Sequence, residues 1–263
     1  YVDKDSAEEL RKLIQELGPE NVAAFISEPV QGAGGVNVPK PDYFKKVRQI
    51  CDEYGVLFIA DEVITGFGRT GKNFCIEHFG VVPDMLTFAK GVSSGYAQLG
   101  GVLISEKIHK DLCELSKGVL MHGYTYSGHP MACAVGLKNI EIIEREGLVE
   151  NARVMGEWML QGFKALQKKY DFIGEVRAFG LLGAIQFVRD RETRELFDPL
   201  LSPIAVKEMK KRGLILRTVT YGQDTVVFAP PLIITKSEMN ELLRIVDETL
   251  AYLQKEVIVK GVK

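Results

Sequence analysis

The 263-residue sequence has few cysteines, no strong excess of either charge and no long apolar run. The four cysteines (Cys51, Cys75, Cys113 and Cys133) stand at wide, irregular spacings, which argues against a disulfide framework or a zinc site and favours a reducing cytoplasm. Lysine and arginine number 33 against 35 acidic residues, so we expect neither nucleic acid nor a membrane as a partner. Apolar runs such as 56–60 are far shorter than the roughly 20 residues that span a bilayer.

The sequence also lacks an initiator methionine. It begins with Tyr1, and its opening resembles the interior of a protein, so we expect it to be part of a longer chain. Its length is sufficient to bury a full core, as one large domain or as two smaller ones.

Helical and strand patterns alternate through the first half of the sequence, which predicts an α/β domain with a mainly parallel sheet covered by helices. The second half continues with two long helical patterns and then changes to the pattern of a smaller antiparallel sheet with helices. We therefore expect a large domain at 1–155 and a small α+β domain at 156–263. The predicted helices are 6–17, 41–54, 130–146, 149–169, 203–211 and 236–254; the predicted strands are 22–27, 56–60, 85–89, 101–104, 173–179 and 182–188, followed by a hairpin at 214–228.

Two acidic residues, Asp61 and Glu62, directly follow the buried strand 56–60. In open α/β sheets ligands bind at the carboxyl ends of strands, so a carboxylate here is a candidate site residue. It could instead cap a neighbouring loop, or belong to a nucleotide triphosphatase, because residues 66–73 (GFGRTGKN) match most of a phosphate-loop pattern. That match fails where the magnesium ligand should stand, since Asn73 replaces Ser or Thr, and the segment follows the acidic strand instead of preceding it.

Lys90 ends a second apolar run and is followed by small residues, among them Gly91, Ser93 and Ser94. A single lysine is usually a solvated surface residue, but an amine in a dry cleft can attack a carbonyl. The two strand ends together indicate pyridoxal-phosphate chemistry, which needs a lysine for the Schiff base and a carboxylate on the pyridinium nitrogen. Lys90 and Asp61 would supply these groups.

Five segments, in order and over most of the chain, resemble the class III aminotransferases. They are 26–32 (ISEPVQG), 60–71 (ADEVITGFGRTG), 89–91 (AKG), 122–130 (HGYTYSGHP) and 228–232 (FAPPL). The resemblance implies a partial large domain and a small C-terminal domain of a fold type I pyridoxal 5′-phosphate-dependent transferase. The N-terminal part of the family, with its phosphate loop and its aromatic residue stacked on the ring, has no counterpart in this sequence.

The resemblance also assigns roles to individual residues. Lys90 forms the Schiff base and transfers the proton, Asp61 pairs with the pyridinium nitrogen, and Val63 packs on the ring. Thr125 reaches the cofactor phosphate of the neighbouring subunit, which implies a homodimer. Glu28 lies beside the substrate pocket, although an ordinary strand-end carboxylate is an equal interpretation.

Two departures from the family pattern concern the keto acid. Members that use 2-oxoglutarate carry an arginine where this sequence has Val227, and many carry a glutamine where it has Ile64. Both departures resemble the amine:pyruvate, or omega-aminotransferase, branch, in which a mobile arginine matches Arg217. Arg217 as a plain surface strand residue is the alternative.

The sequence is thus identified as the C-terminal part of a class III aminotransferase. It is expected to move an amino group from an amine or amino acid to a keto acid, with pyruvate the expected acceptor, and to need no metal. A decarboxylase or aminomutase of the same fold shares the same lysine and aspartate, and a catalytically silent remnant remains a third alternative.

Overall fold

The computed structural model describes residues 6–261, which form two compact units. The first comprises residues 6–30 and Val38–Gly147, and the second comprises Gln31–Asn37 and residues 148–261. The remaining residues of the two expected domains, 1–5 and 262–263, lie outside the described residues.

The division between the units differs from the predicted one at 155/156. That position falls inside the helix Leu148–Lys169, which lies wholly in the second unit. The buried side chains of this helix, from Ala152 to Leu166, belong to one hydrophobic core, so the helix cannot be divided between two units. The structural division therefore precedes the helix, at Gly147.

The first unit contains a four-stranded sheet in the order β1-β2-β3-β4, built from β1 (Ala24–Ser27), β2 (Leu57–Asp61), β3 (Met85–Phe88) and β4 (Gly101–Ile104). The first three strands are parallel, and β4 is antiparallel to β3. The predicted mainly parallel sheet is confirmed. Because β1, β2 and β3 run in the same direction, their carboxyl ends meet at one edge.

Four α-helices accompany this sheet: α1 (Glu8–Leu17), α2 (Tyr43–Tyr54), α3 (Glu106–Leu115) and α4 (Pro130–Arg145). On α2, apolar residues at helical spacing bury one face, and Phe44 packs against the rings of Phe58 and Phe79 at centroid distances of 5.7 and 4.9 Å. Helix α3 was not predicted, although Ile108, Leu112 and Leu115 stand at helical spacing; of its residues only Ile108 is buried. Its start is fixed by Ser105, whose side chain accepts a hydrogen bond from Ile108 N.

The second unit is an antiparallel sheet covered by helices, as the sequence predicts. Its strands, β5 (Ile173–Phe179), β6 (Leu182–Phe187), β7 (Arg217–Val219) and β8 (Thr225–Phe228), are arranged in the order β5-β6-β8-β7. Its helices are α5 (Leu148–Lys169), α6 (Leu201–Lys211) and α7 (Lys236–Tyr252). The core contains fully buried aromatic side chains of α5, β6 and β8, namely Phe163, Phe187 and Phe228.

The short segment Gln31–Asn37 joins the second unit through side chains of the sheet. Arg177 donates from Nε and Nη2 to the carbonyl oxygen of Gly35, at 3.1 and 2.9 Å. Gln223 donates from Nε2 to the carbonyl oxygen of Gly34 at 2.8 Å. A segment that interrupts the sequence of the first unit thus belongs, by its contacts, to the second unit.

Candidate active site

Three of the predicted site residues lie at one edge of the parallel sheet. Glu28 directly follows β1, Asp61 is the last residue of β2, and Lys90 is the second residue after β3. In the sheet register Ser27 pairs with Ala60, and Asp61 pairs with Thr87. The structure therefore brings a lysine and two carboxylates together at the strand ends, where ligands bind in open α/β sheets.

Asp61 has one carboxylate oxygen engaged and one open. Its Oδ1 accepts a hydrogen bond from Val63 N at 3.0 Å, and the described part of the chain provides no other hydrogen bond to this carboxylate. Thr87, its partner in the register, shares its face of the sheet and has a buried Oγ1 without a hydrogen-bond partner. Since a buried polar atom without a partner is costly, the Thr87 hydroxyl fits a polar ligand, and the open oxygen of Asp61 lies on the same face.

Glu62, the second acid of the pair, has a structural role. It is completely buried, and its two oxygens accept from Thr65 Oγ1 at 2.5 Å and from Ile76 N at 2.7 Å. These bonds tie the ends of the loop after β2 together. Burial raises the pKa of Glu62 above its ordinary value of 4.5.

The backbone of Lys90 is held in an unusual conformation. Its φ of 44° lies in the left-handed region, which costs a non-glycine residue about 1–3 kcal/mol. Gly91 follows at a position where a Cβ atom would lie 3.2 Å from Phe67 Cβ and 3.4 Å from the carbonyl oxygen of Gly66. Backbone strain of this kind concentrates at functional sites, and the Lys90 side chain is exposed.

Thr125 is not among the residues at the edge of the parallel sheet. It belongs to a turn in which Tyr124 N donates to Ser127 Oγ at 3.0 Å, and every residue of the segment 117–131 is exposed. Within the described residues Thr125 makes no hydrogen bond with Asp61 or Lys90.

Arg217 belongs to the second unit, at the first position of β7. Its guanidinium donates from Nη2 to the carbonyl oxygen of Ala33 at 2.7 Å. Across the strand pair it stands directly opposite Val227 of β8. Both residues line a mainly apolar cavity of about 670 Å³, to which Leu214 and Pro230 also contribute.

The segment that resembled a phosphate loop lacks the structural context of one. Residues 66–73 form consecutive turns and bends, and a short 3₁₀ helix, Cys75–Phe79, follows them. A phosphate loop leads from a strand into the N-terminus of an α-helix, whose aligned N–H groups bind the phosphates. Among the described residues there is also no group of three or more His, Cys, Asp or Glu side chains that could hold a metal ion.

Comparison with known proteins identifies the family. Residues 2–250 match the family described as "Aminotransferase class-III". The chain belongs to the class III aminotransferases. The members of this family are pyridoxal-phosphate enzymes of fold type I, and the two units of this chain have the corresponding α/β and α+β architecture.

Class III relatives resemble the chain over nearly its whole length. The putrescine–pyruvate aminotransferase of Pseudomonas aeruginosa is 42% identical over 246 residues, which are 93% of this chain and 53% of the relative. The diaminobutyrate–2-oxoglutarate transaminase of Halomonas elongata is 41% identical over 244 residues, 91% of this chain and 52% of the relative. The crystal structure of a transaminase from the marine bacterium Virgibacillus superimposes with a TM-score of 0.93 at 48% identity, covering 95% of this chain and 57% of that one. The chain thus spans about half the length of the relatives it matches.

The residues at the sheet edge fit pyridoxal phosphate. An exposed lysine amine and a carboxylate with an open oxygen are the groups that this cofactor needs, and the unpartnered Thr87 hydroxyl adds a polar contact on the face of Asp61. Sequence reasoning did not find Thr87, because its relation to Asp61 depends on the strand register. It gave Glu62 no role of its own, although the alternation of side chains along a strand is a signal that Glu62 and Asp61 face opposite ways.

The buried Glu62 should make the free energy of unfolding decrease as pH rises. Because the folded-state pKa is raised, its contribution is fully present below the unfolded pKa and is lost as pH rises through the folded pKa. In Glu62→Gln the side chain cannot ionise, while its carbonyl can accept from Ile76 N. The free energy of unfolding of the wild type, measured by urea denaturation, should therefore fall relative to that of the variant from acidic to neutral pH.

Glu141→Gln is the matched control. In the wild type, a hydrogen bond with Lys138 lowers the pKa of the exposed Glu141. The small contribution of Glu141 to the free energy of unfolding is therefore lost as pH falls, which is the opposite direction to that of Glu62. A wild type that gains stability relative to Glu62→Gln as pH rises would contradict the buried role of Glu62.

Proposed function

We propose that the full-length protein is a pyridoxal-phosphate-dependent aminotransferase that moves an amino group from an amine or amino acid to a keto acid, with pyruvate as the preferred acceptor. The observation that carries this proposal is the placement of Lys90 and Asp61 at adjacent parallel strand ends in a class III chain. Relatives named for putrescine–pyruvate and for diaminobutyrate–2-oxoglutarate transfer support the reaction class and leave both keto acids open.

Each residue at the sheet edge has a distinct task in this proposal. The cofactor, when bound, supplies a protonated ring that withdraws electrons from the substrate carbon. Lys90 would hold the cofactor through its amine, and the same amine would carry the proton to and from the substrate carbon. Asp61 keeps the ring nitrogen protonated through its open oxygen, while its other oxygen stays fixed by Val63 N. Val63 packs on the ring, and Glu28 borders the substrate.

A homodimer is the proposed assembly. The segment 117–131 exposes apolar side chains that a monomer would leave in water, among them Met121 at 94%, Tyr124 at 77% and Tyr126 at 80% exposure. Apolar exposure on this scale is typical of protein interfaces. Thr125 lies in this segment, so burial of the segment against a second copy would let its hydroxyl reach the cofactor phosphate of that copy.

The acceptor preference rests on the second unit. A carboxylate opposite an apolar side chain in a closed pocket costs several kcal/mol, and Val227 stands where 2-oxoglutarate-using members carry an arginine. Arg217 could take the single carboxylate of pyruvate in the bidentate geometry that suits guanidinium. When no carboxylate is bound, the Arg217 guanidinium donates to the carbonyl oxygen of Ala33 instead.

The Schiff-base assignment can be tested directly. Full-length protein loaded with pyridoxal phosphate should absorb visible light, and borohydride should fix the cofactor to Lys90, as peptide mapping would show. Lys90→Ala should lose the label, whereas Lys72→Ala, which removes another exposed lysine, should keep it. A label on any other lysine would overturn the proposed function.

Asp61→Asn should keep the fold but lose most of the turnover. The amide oxygen can still accept from Val63 N, but an amide cannot hold the proton of the pyridinium nitrogen. We expect a loss of turnover larger than about 10²-fold, the scale of a single catalytic contact, with the label still on Lys90. Glu62→Gln, which changes the neighbouring structural acid, should retain most of its turnover. Near-normal turnover in Asp61→Asn would remove this residue from the mechanism.

Arg217→Ala should raise KM for pyruvate by about tenfold or more, the range of a lost charge-assisted hydrogen bond, and should spare uncharged aldehyde acceptors. Gln223→Ala is the control, since it removes another contact to the segment Gln31–Asn37 without removing a charge. Steady-state kinetics with pyruvate and 2-oxoglutarate decide the acceptor. A clear preference for 2-oxoglutarate, or an Arg217→Ala variant indifferent to pyruvate, would sink the assignment.

A further inference from the structure

Asn139 lies on the face of α4 that covers the turn after β3. Its Nδ2 donates to the carbonyl oxygens of Gly91 at 2.8 Å and Val92 at 3.1 Å, which are the two residues after Lys90. Gly136, one turn earlier on the same face, also lies close to the turn, since a Cβ there would be 3.8 Å from the carbonyl oxygen of Val92. One polar side chain on a face of small residues thus reaches the Lys90 turn.

The turn is also held by the hydrogen bond from Ser93 Oγ to the carbonyl oxygen of Ala97 at 2.5 Å and by the buried side chain of Val92. Its own backbone hydrogen bonds are long: Val92 N to Ala89 O is 3.2 Å, Ser93 N to Lys90 O is 3.3 Å, and Ser94 N to Gly91 O is 3.4 Å. The left-handed φ of Lys90 is unfavourable in itself, so a turn released from outside contacts would relax towards negative φ. Such a change would redirect the Cα–Cβ bond, and with it the amine.

We propose that Asn139 is a positioning residue for Lys90, whose amide fixes the carbonyls of Gly91 and Val92 and so keeps the lysine backbone left-handed. The inference rests on the proposed role of Lys90 as the cofactor-binding lysine. Asn139 touches neither cofactor nor substrate in this scheme. It acts by holding the chain from which the amine extends, and a misplacement of about 1 Å can cost 10²-fold in rate.

The second unit offers a matched control for the same chemistry. Asn151, also partly buried on a helix, donates from Nδ2 to the carbonyl oxygens of Leu232 at 2.6 Å and Ile234 at 3.1 Å. Replacement of either asparagine by aspartate is isosteric, removes both N–H donors and places a carboxylate against two carbonyl oxygens. Both variants therefore lose the same kind of hydrogen bonds, but only Asn139→Asp loses them beside Lys90.

The experiment compares Asn139→Asp and Asn151→Asp in the full-length protein. In the cofactor-free form, hydrogen–deuterium exchange of peptides containing residues 90–94 should accelerate in Asn139→Asp and remain at the wild-type rate in Asn151→Asp. In the cofactor-loaded form, Asn139→Asp should lower kcat by about 10- to 100-fold with little change in KM for the amino donor, and it should shift the pH midpoint of the visible absorbance. If Asn139→Asp does not yield folded protein, Asn139→Ala carries the same expectations without an added charge.

The outcomes distinguish a failure of the proposed function from a failure of the positioning role of Asn139. A borohydride label on a lysine other than Lys90 in the wild type would overturn the proposed function and this inference together. A label on Lys90, with exchange, kcat and absorbance midpoint of Asn139→Asp all matching those of Asn151→Asp, would overturn the positioning role alone. Faster exchange at residues 90–94 with unchanged kcat and midpoint would also overturn it, because the contact would then serve stability only.

Discussion

The parallel alignment of β1, β2 and β3 is the constraint on which the candidate site depends. Parallel strands deliver their carboxyl ends to one edge, so Asp61 and Lys90 become neighbours although 29 positions separate their numbers in the sequence. Because side chains alternate between the two faces along a strand, the adjacent residues Asp61 and Glu62 lie in different surroundings. Asp61 keeps an open oxygen at the edge, while Glu62 is completely buried among hydrogen-bond donors.

The site contains two locally unfavourable features. Lys90 has a left-handed backbone, and Thr87 has a buried hydroxyl without a partner. Such features persist only where surrounding contacts outweigh their cost, and here the contacts are aromatic and close. Phe67 packs between Phe74 and Phe88 at centroid distances of 5.4 and 5.7 Å, and a Cβ atom on Gly91 would lie only 3.2 Å from Phe67 Cβ.

The sequence predicts features that depend on local residue patterns, and it does not predict contacts between residues that are distant in the sequence. The strands and most helices followed from apolar periodicity, and Asp61 and Lys90 from their positions at the ends of apolar runs. Helix α3 was missed although Ile108, Leu112 and Leu115 carry the helical spacing. The contact from Asn139 to Gly91 could not be predicted, since it joins a side chain to a carbonyl 48 positions away. Contacts to backbone carbonyls require no particular residue type at the partner position, so the sequence carries no sign of them.

The strand pairing in the second unit gives a physical reason for the departure at Val227. Arg217 and Val227 are directly opposite each other on β7 and β8, and paired residues of antiparallel strands project to the same face. An arginine at 227 would therefore place a second positive charge against Arg217 in a mainly apolar cavity, and like charges in this arrangement destabilise the pair. If Arg217 binds the keto acid as proposed, an arginine at 227 and the arginine at 217 would be alternatives in this strand pair.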